Sequence, residues 1–138
     1  MNEQVQKTAE TQHSDFPSDT SGLPRAVPSK VIELADGDKA ELHIGPVVKR
    51  IGGTDVRMLA YSGSIPGPTF RVPEGSTVTI RVANEGDLDA TVHWHGLRLE
   101  NRYDGTHDTQ APIPVGETFT YEVHVPDPGA YWYHPHIR

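Results

Sequence analysis

Strict alternation of apolar and polar side chains over residues 77–83 constrains this chain more than any other feature. Val78, Ile80 and Val82 fall on one parity, and Thr77, Thr79 and Arg81 on the other. Successive side chains of an extended strand point to opposite faces, so the pattern predicts a half-buried strand. The period returns at Phe119, Tyr121, Val123 and Val125, interleaved with Thr118, Thr120, Glu122 and His124. Further β runs are expected around Val31–Leu34, across residues 42–48, and over residues 56–61, 69–72, 91–97 and 130–133. Asp36-Gly37, Gly52-Gly53, Pro73-Glu74-Gly75, residues 84–87 and residues 126–129 read as turns, and Gly52-Gly53 predicts a hairpin. Ile65-Pro66-Gly67-Pro68 reads as a rigid corner. No stretch carries a helical period, so the expectation is an all-β sandwich or small barrel. One connection, roughly twenty residues between the 91–97 run and the strand near Glu117, is too long for a hairpin, and such loops are usually functional or disordered.

Composition removes whole classes of function. The 138 residues hold 12 Lys+Arg against 19 Asp+Glu, a formal net charge of -7. No basic footprint for nucleic acid exists, and no apolar run reaches the ~18 residues of a membrane span. There is no cysteine, which excludes disulfides, thiolate nucleophiles, iron–sulfur clusters and thiolate-bound copper. Residues 1–28 are Ser/Thr/Gln/Asp-rich without periodicity and are expected to form a disordered or extended tail. They lack the basic start, apolar stretch and cleavage site of a signal peptide. His13 reads as a solvated tail residue.

Eight histidines are present, and four of them form two His-x-His pairs. His93-Trp94-His95 lies in a β run, so both imidazoles share one face, with Cβ atoms roughly 6–7 Å apart from the ~3.3 Å rise per residue. That spacing suits two neighbouring metal ions better than one. His134-Pro135-His136 repeats it, and Pro135 places the pair at a strand end or edge. Converging imidazoles without thiolate suit copper, zinc, iron or nickel; structural zinc sites usually recruit cysteine, so copper is favoured. One such pair is more often incidental than ligating, and it is the pairing of two that argues for metal. Among the other candidates, His107 and Asp108 read as a solvated loop in preference to groups supporting a metal site. His124 and His43 read as surface residues. Trp94, Tyr131, Trp132 and Tyr133 read mostly as core packing.

His93-Trp94-His95-Gly96-Leu97, Asp104-Gly105, Gln110, Pro112-Ile113-Pro114, Gly116, Tyr121, Gly129 and Tyr131-Trp132-Tyr133-His134-Pro135-His136 together resemble the first cupredoxin domain of multicopper oxidases, the family of laccases and cuprous oxidases. Ile65-Pro66-Gly67-Pro68-Thr69 is similar to the proline–glycine corner of that domain. The resemblance covers about residues 40–138. It implies a cupredoxin-like Greek-key β-sandwich or barrel over residues 29–138, C-terminally truncated. It also implies copper: His93 would bind the type 2 ion, His95 and His134 one type 3 ion, and His136 the other. Those ions form the trinuclear centre where dioxygen is reduced to water. Asp104 would deliver protons there; its alternative reading is a turn residue before Gly105.

The family completes this centre with four further histidines from another cupredoxin domain, and its type 1 copper needs a cysteine that this chain lacks. The implied partners are therefore a second cupredoxin domain of the same or another chain, dioxygen, and a small-molecule or metal-ion reductant. The chain by itself is not expected to turn over. Two-domain and three-domain members share this pattern, and most bacterial relatives are exported. The competing readings are a stand-alone, non-catalytic copper- or zinc-binding module of cupredoxin fold, and a sandwich whose metal site is lost. A blue electron carrier is excluded by the missing thiolate.

Overall fold

The computed structural model describes residues 17–137; residues 1–16, with His13, lie outside the described residues. Eight strands run in chain order: β1 (Val31–Glu33), β2 (Lys39–Ile51), β3 (Thr54–Tyr61), β4 (Thr69–Arg71), β5 (Thr77–Asn84), β6 (Thr91–His95), β7 (Thr118–His124) and β8 (Trp132–His136). A 3-10 turn at Asn101–Tyr103 interrupts the long connection. No α-helix occurs among the described residues, and none is long and apolar enough to cross a membrane. The all-β expectation holds, as a sandwich without a closed barrel.

One layer is a four-stranded sheet, β3-β2-β5-β7; two two-stranded pieces, β1-β4 and β6-β8, complete the fold. The expected hairpin at Gly52-Gly53 pairs β2 with β3 antiparallel, from Ile44 opposite Tyr61 to Ile51 opposite Thr54. β5 lies parallel to the first half of β2 and antiparallel to β7. The second half of β2 takes another neighbour on that edge. Val48 donates its N–H to the Pro24 carbonyl at 2.9 Å and accepts from Ala26 at 2.8 Å, and Arg25 pairs with Asp55 at 3.1 Å.

Alternation predicts the buried face of β5 and β7. Val78, Ile80 and Val82 point inward with Tyr121 and Val123. They pack with Leu42 of β2 and with Val92 and Trp94 of β6 in one core. Each fully buried aliphatic side chain contributes about 1.5–3 kcal/mol. Trp94 stands edge-on to Tyr121, with ring centroids 5.7 Å apart, so the β6-β8 piece is fastened over the larger sheet. The Tyr121 hydroxyl also accepts the Val92 N–H at 3.0 Å, fixing the backbone of β6 one residue before His93.

The β4 and β8 pieces do not pair with each other. A cleft of about 570 Å³ opens between them, lined mainly by apolar groups that include Phe70, Val125, Trp132 and Tyr133. Tyr133 crosses it and donates its hydroxyl to the Pro68 carbonyl at 2.6 Å. The corner beneath is tight, because a Cβ on Gly67 would lie 2.7 Å from the Tyr61 Cβ and 2.8 Å from the Tyr133 hydroxyl.

Candidate metal centre

β6 and β8 are antiparallel, with His93 opposite His134, His95 opposite Trp132 and Thr91 opposite His136. Strand parity then does the rest. Trp94 and Tyr133 turn into the core, and both His-x-His pairs turn to the other face. Parity puts two imidazoles on one face of each strand, and the register sets the two pairs against each other.

The four rings form one cluster. Ring centroids lie 5.5 Å apart for His93–His95, 5.2 Å for His93–His134, 5.3 Å for His93–His136 and 5.1 Å for His134–His136. One nitrogen from each of His93, His95 and His134 lies within 4.8 Å of the others. His136 borders this trio without joining it.

Hydrogen bonding selects which nitrogen each ring offers. His93 Nδ1 lies 2.6 Å from the Asp104 carbonyl oxygen. A carbonyl only accepts, so His93 carries its proton on Nδ1 and keeps the Nε2 lone pair. His134 Nδ1 likewise donates to the Pro135 carbonyl at 3.2 Å, leaving Nε2 as acceptor. His95 Nδ1 then donates to His134 Nε2 at 3.2 Å. A metal ion takes the place of such a proton between two imidazoles. Burial lowers the pKa of His136 below its ordinary value, and nearby His134, His93 and His107 add to the effect against the opposing pull of Asp104. The donor set is all nitrogen and partly oriented by carbonyls, which fits copper.

Asp104 meets the cluster through its backbone as well as its side chain: the carboxylate oxygen lies 3.6 Å from the same His93 nitrogen that the carbonyl accepts from. Gly105 holds this contact in place. Its φ is +74°, and a Cβ there would run into the Val92 carbonyl. Thr91 Oγ1 donates to the Gly105 carbonyl from the strand beneath.

Three expectations are corrected. Trp132 is 58% exposed, not core: it shares the outward parity of His134, and its ring stacks on His95 at 4.7 Å and leans on His134 at 4.2 Å. Tyr131 is also exposed. His107 is not solvated, because both of its ring nitrogens are buried and its ring stands edge-on to His136 at 6.1 Å. Parity counted through residues 132–136 reveals Trp132 in the sequence, whereas nothing local reveals His107. His124 is exposed as expected, its Nδ1 3.0 Å from Thr77 Oγ1. His43 is half-buried between Glu41 and Glu85.

Comparison with known proteins agrees with this geometry. Residues 46–138 match the family model described as multicopper oxidase. The chain is 45% identical over 87 residues to "Multicopper oxidase MmcO" of Mycobacterium tuberculosis, covering 63% of this chain and 17% of that protein. It is 37% identical over 109 residues to "Copper resistance protein A" of Pseudomonas syringae pv. tomato, covering 78% of this chain and 18% of that protein. The crystal structure of a multi-copper oxidase from Pseudomonas thermotolerans superposes with a TM-score of 0.69 at 34% identity, over 76% of this chain and 26% of that one. The chain thus spans under a fifth of the length of these curated relatives. With the matched segment holding both histidine pairs and the strands that oppose them, the chain belongs to the multicopper oxidase family.

Proposed function

We propose that this chain is the N-terminal copper-binding domain of a multicopper oxidase and supplies half of the ligands of its dioxygen-reducing centre. The observation that carries this reading is the convergence of His93, His95 and His134 donor nitrogens within 4.8 Å, with His136 beside them. His93 binds the type 2 ion, His95 and His134 share one type 3 ion, and His136 serves the other. The 3.2 Å approach of His95 Nδ1 to His134 Nε2 supports assigning those two rings to one ion. A second cupredoxin domain, of the same or another chain, supplies the remaining ligands. The exposure of His95 and Trp132 on this face supports a partner surface there.

Copper, when bound, supplies one-electron chemistry and a Lewis-acid seat for dioxygen. The residues of this chain do the rest. The Asp104 carbonyl holds His93 in the tautomer that presents Nε2. Trp132 covers His95 and His134 and limits their ring rotation. The Asp104 carboxylate, half-buried beside His93, is positioned to relay protons at the edge of the centre. Electrons enter from a small-molecule or metal-ion reductant at a type 1 copper outside this chain.

The test is made in the longer protein. Replacing His95 and His134 together is expected to abolish dioxygen consumption while type 1 copper is still bleached by reductant. Undiminished dioxygen consumption overturns the assignment. Asp104→Asn is expected to slow dioxygen reduction roughly 10²-fold or more with copper content unchanged; an unaltered rate across pH removes Asp104 from proton transfer.

A further inference from the structure

We propose that the cleft between β4 and β8 receives an extended apolar segment of the longer protein as an added β-strand, and that its seating tightens metal binding at the histidine face. The inference rests on the reading of this chain as one domain of a larger oxidase.

The backbone of β8 has an open edge. In and just before β6, Ala90 exchanges both of its backbone bonds with Ile113, Val92 gives its N–H to the Tyr121 hydroxyl, and the Trp94 carbonyl accepts from Leu97. Even-numbered residues there turn away from β8, so in the antiparallel register their partners Tyr133 and Pro135 turn away from β6. The Tyr133 N–H and carbonyl therefore point to the free edge, beside the Pro135 carbonyl. β4 is open in the same way. Thr69 donates to the Lys30 carbonyl at 2.8 Å and the Arg71 carbonyl accepts from Leu34 at 2.9 Å, so the Phe70 N–H and carbonyl face away from β1. Neither β4 nor β8 has a second neighbour among the described strands.

Between these edges lies the cleft of about 570 Å³, walled by Phe70, Val72, Val125 and Tyr133. The Tyr61 hydroxyl and Trp94 indole N–H, which also border it, are buried without a hydrogen-bond partner among the described residues. Open strand edges are completed by another extended chain, and an apolar wall selects apolar side chains at alternate positions. One strand here joins β1-β4 and β8-β6 into a single sheet opposite β3-β2-β5-β7, the second layer of a sandwich. The donor lies outside these residues. The chain spans under a fifth of its curated relatives, and residues 1–16 offer only Met1, Val5, Ala9 and Phe16 as apolar side chains, never in alternation. β8 also carries His134 and His136, so an edge strand holds half of the histidine cluster. Pairing its second edge fixes that strand before metal arrives, and such preorganisation raises affinity.

Amide hydrogen exchange, read residue by residue, compares this chain with the longer protein. The Phe70 and Tyr133 N–H groups are expected to exchange freely in the chain and roughly 10²-fold or more slowly in the longer protein. The Ile80 N–H, inside the larger sheet, is expected to be slow in both. Free exchange of Phe70 or Tyr133 in the longer protein overturns the inserted strand, even with copper on the histidine face. Protected amides in a protein whose histidine face takes no copper overturn the copper-centre reading instead. Protection already present in the isolated chain overturns the assigned donor: a second copy fills the cleft if protection rises with concentration, and the chain's own N-terminus if it vanishes on deletion of residues 1–16. Val125→Glu in the longer protein is expected to free both amides and to weaken copper retention against a chelator roughly tenfold, whereas Val125→Ile keeps both native. Protection that survives the buried charge contradicts a strand seated on that wall, and native copper retention with both amides freed overturns the coupling.

Discussion

At the scale of single residues, the site depends on groups that never face the metal. Tyr121 is fully buried on β7, yet its hydroxyl takes the Val92 N–H and so fixes the strand that carries His93. Tyr121→Phe leaves that buried N–H without a partner and is expected to cost about 1–3 kcal/mol. Urea unfolding followed by tryptophan fluorescence measures it; an unchanged midpoint shows that the bond contributes nothing. Trp132 is the outward counterpart. Trp132→Ala is expected to leave the unfolding midpoint nearly unchanged, because the side chain is exposed, while weakening copper binding through freer His95 and His134 rings. The sequence declared His93, His95, His134 and His136 because strand parity needs only local spacing. It reads His107 as solvated loop, wrongly, because that ring is buried through a loop path that no periodicity encodes.

At the scale of elements, the loop between β6 and β7 is the decisive piece. Its length marks it as functional or disordered, but its path depends on one backbone conformation. Gly105 at φ +74° lets the chain pass directly over the Val92 carbonyl, which puts the Asp104 carbonyl on His93. Gly105→Ala is expected to cost at least about 1–3 kcal/mol from backbone strain alone, with displacement of the loop in addition. Copper affinity measured on the folded variant should fall along with stability; native affinity would detach the loop from the site. Strand alternation made β5 and β7 legible almost residue by residue. Beyond the β3 hairpin, the neighbours of β2 were not legible: its parallel pairing with β5 and its contact with residues 24–26 are long-range choices made by packing.

At the scale of the whole molecule, the fold is a four-stranded sheet capped by two two-stranded pieces, with the histidine face on one of them. The apolar cleft between β4 and β8 predicts enhanced fluorescence of a hydrophobic dye bound to the folded chain, quenched by Val125→Glu at the cleft wall. An absence of dye binding would contradict an open cleft. The histidine face lies on the opposite side of β6 and β8 from the core; Trp132 borders both it and the cleft, so Val125 is the position that probes the cleft without touching the histidines. The central claim is that the two His-x-His pairs form one copper-binding face. Diffraction from copper-soaked crystals of the chain, recorded on both sides of the copper absorption edge, tests it most directly. The account predicts anomalous peaks beside the Nε2 atoms of His93 and His134, within the cluster that His95 and His136 complete. Copper bound elsewhere on the molecule, with this face empty, would contradict it.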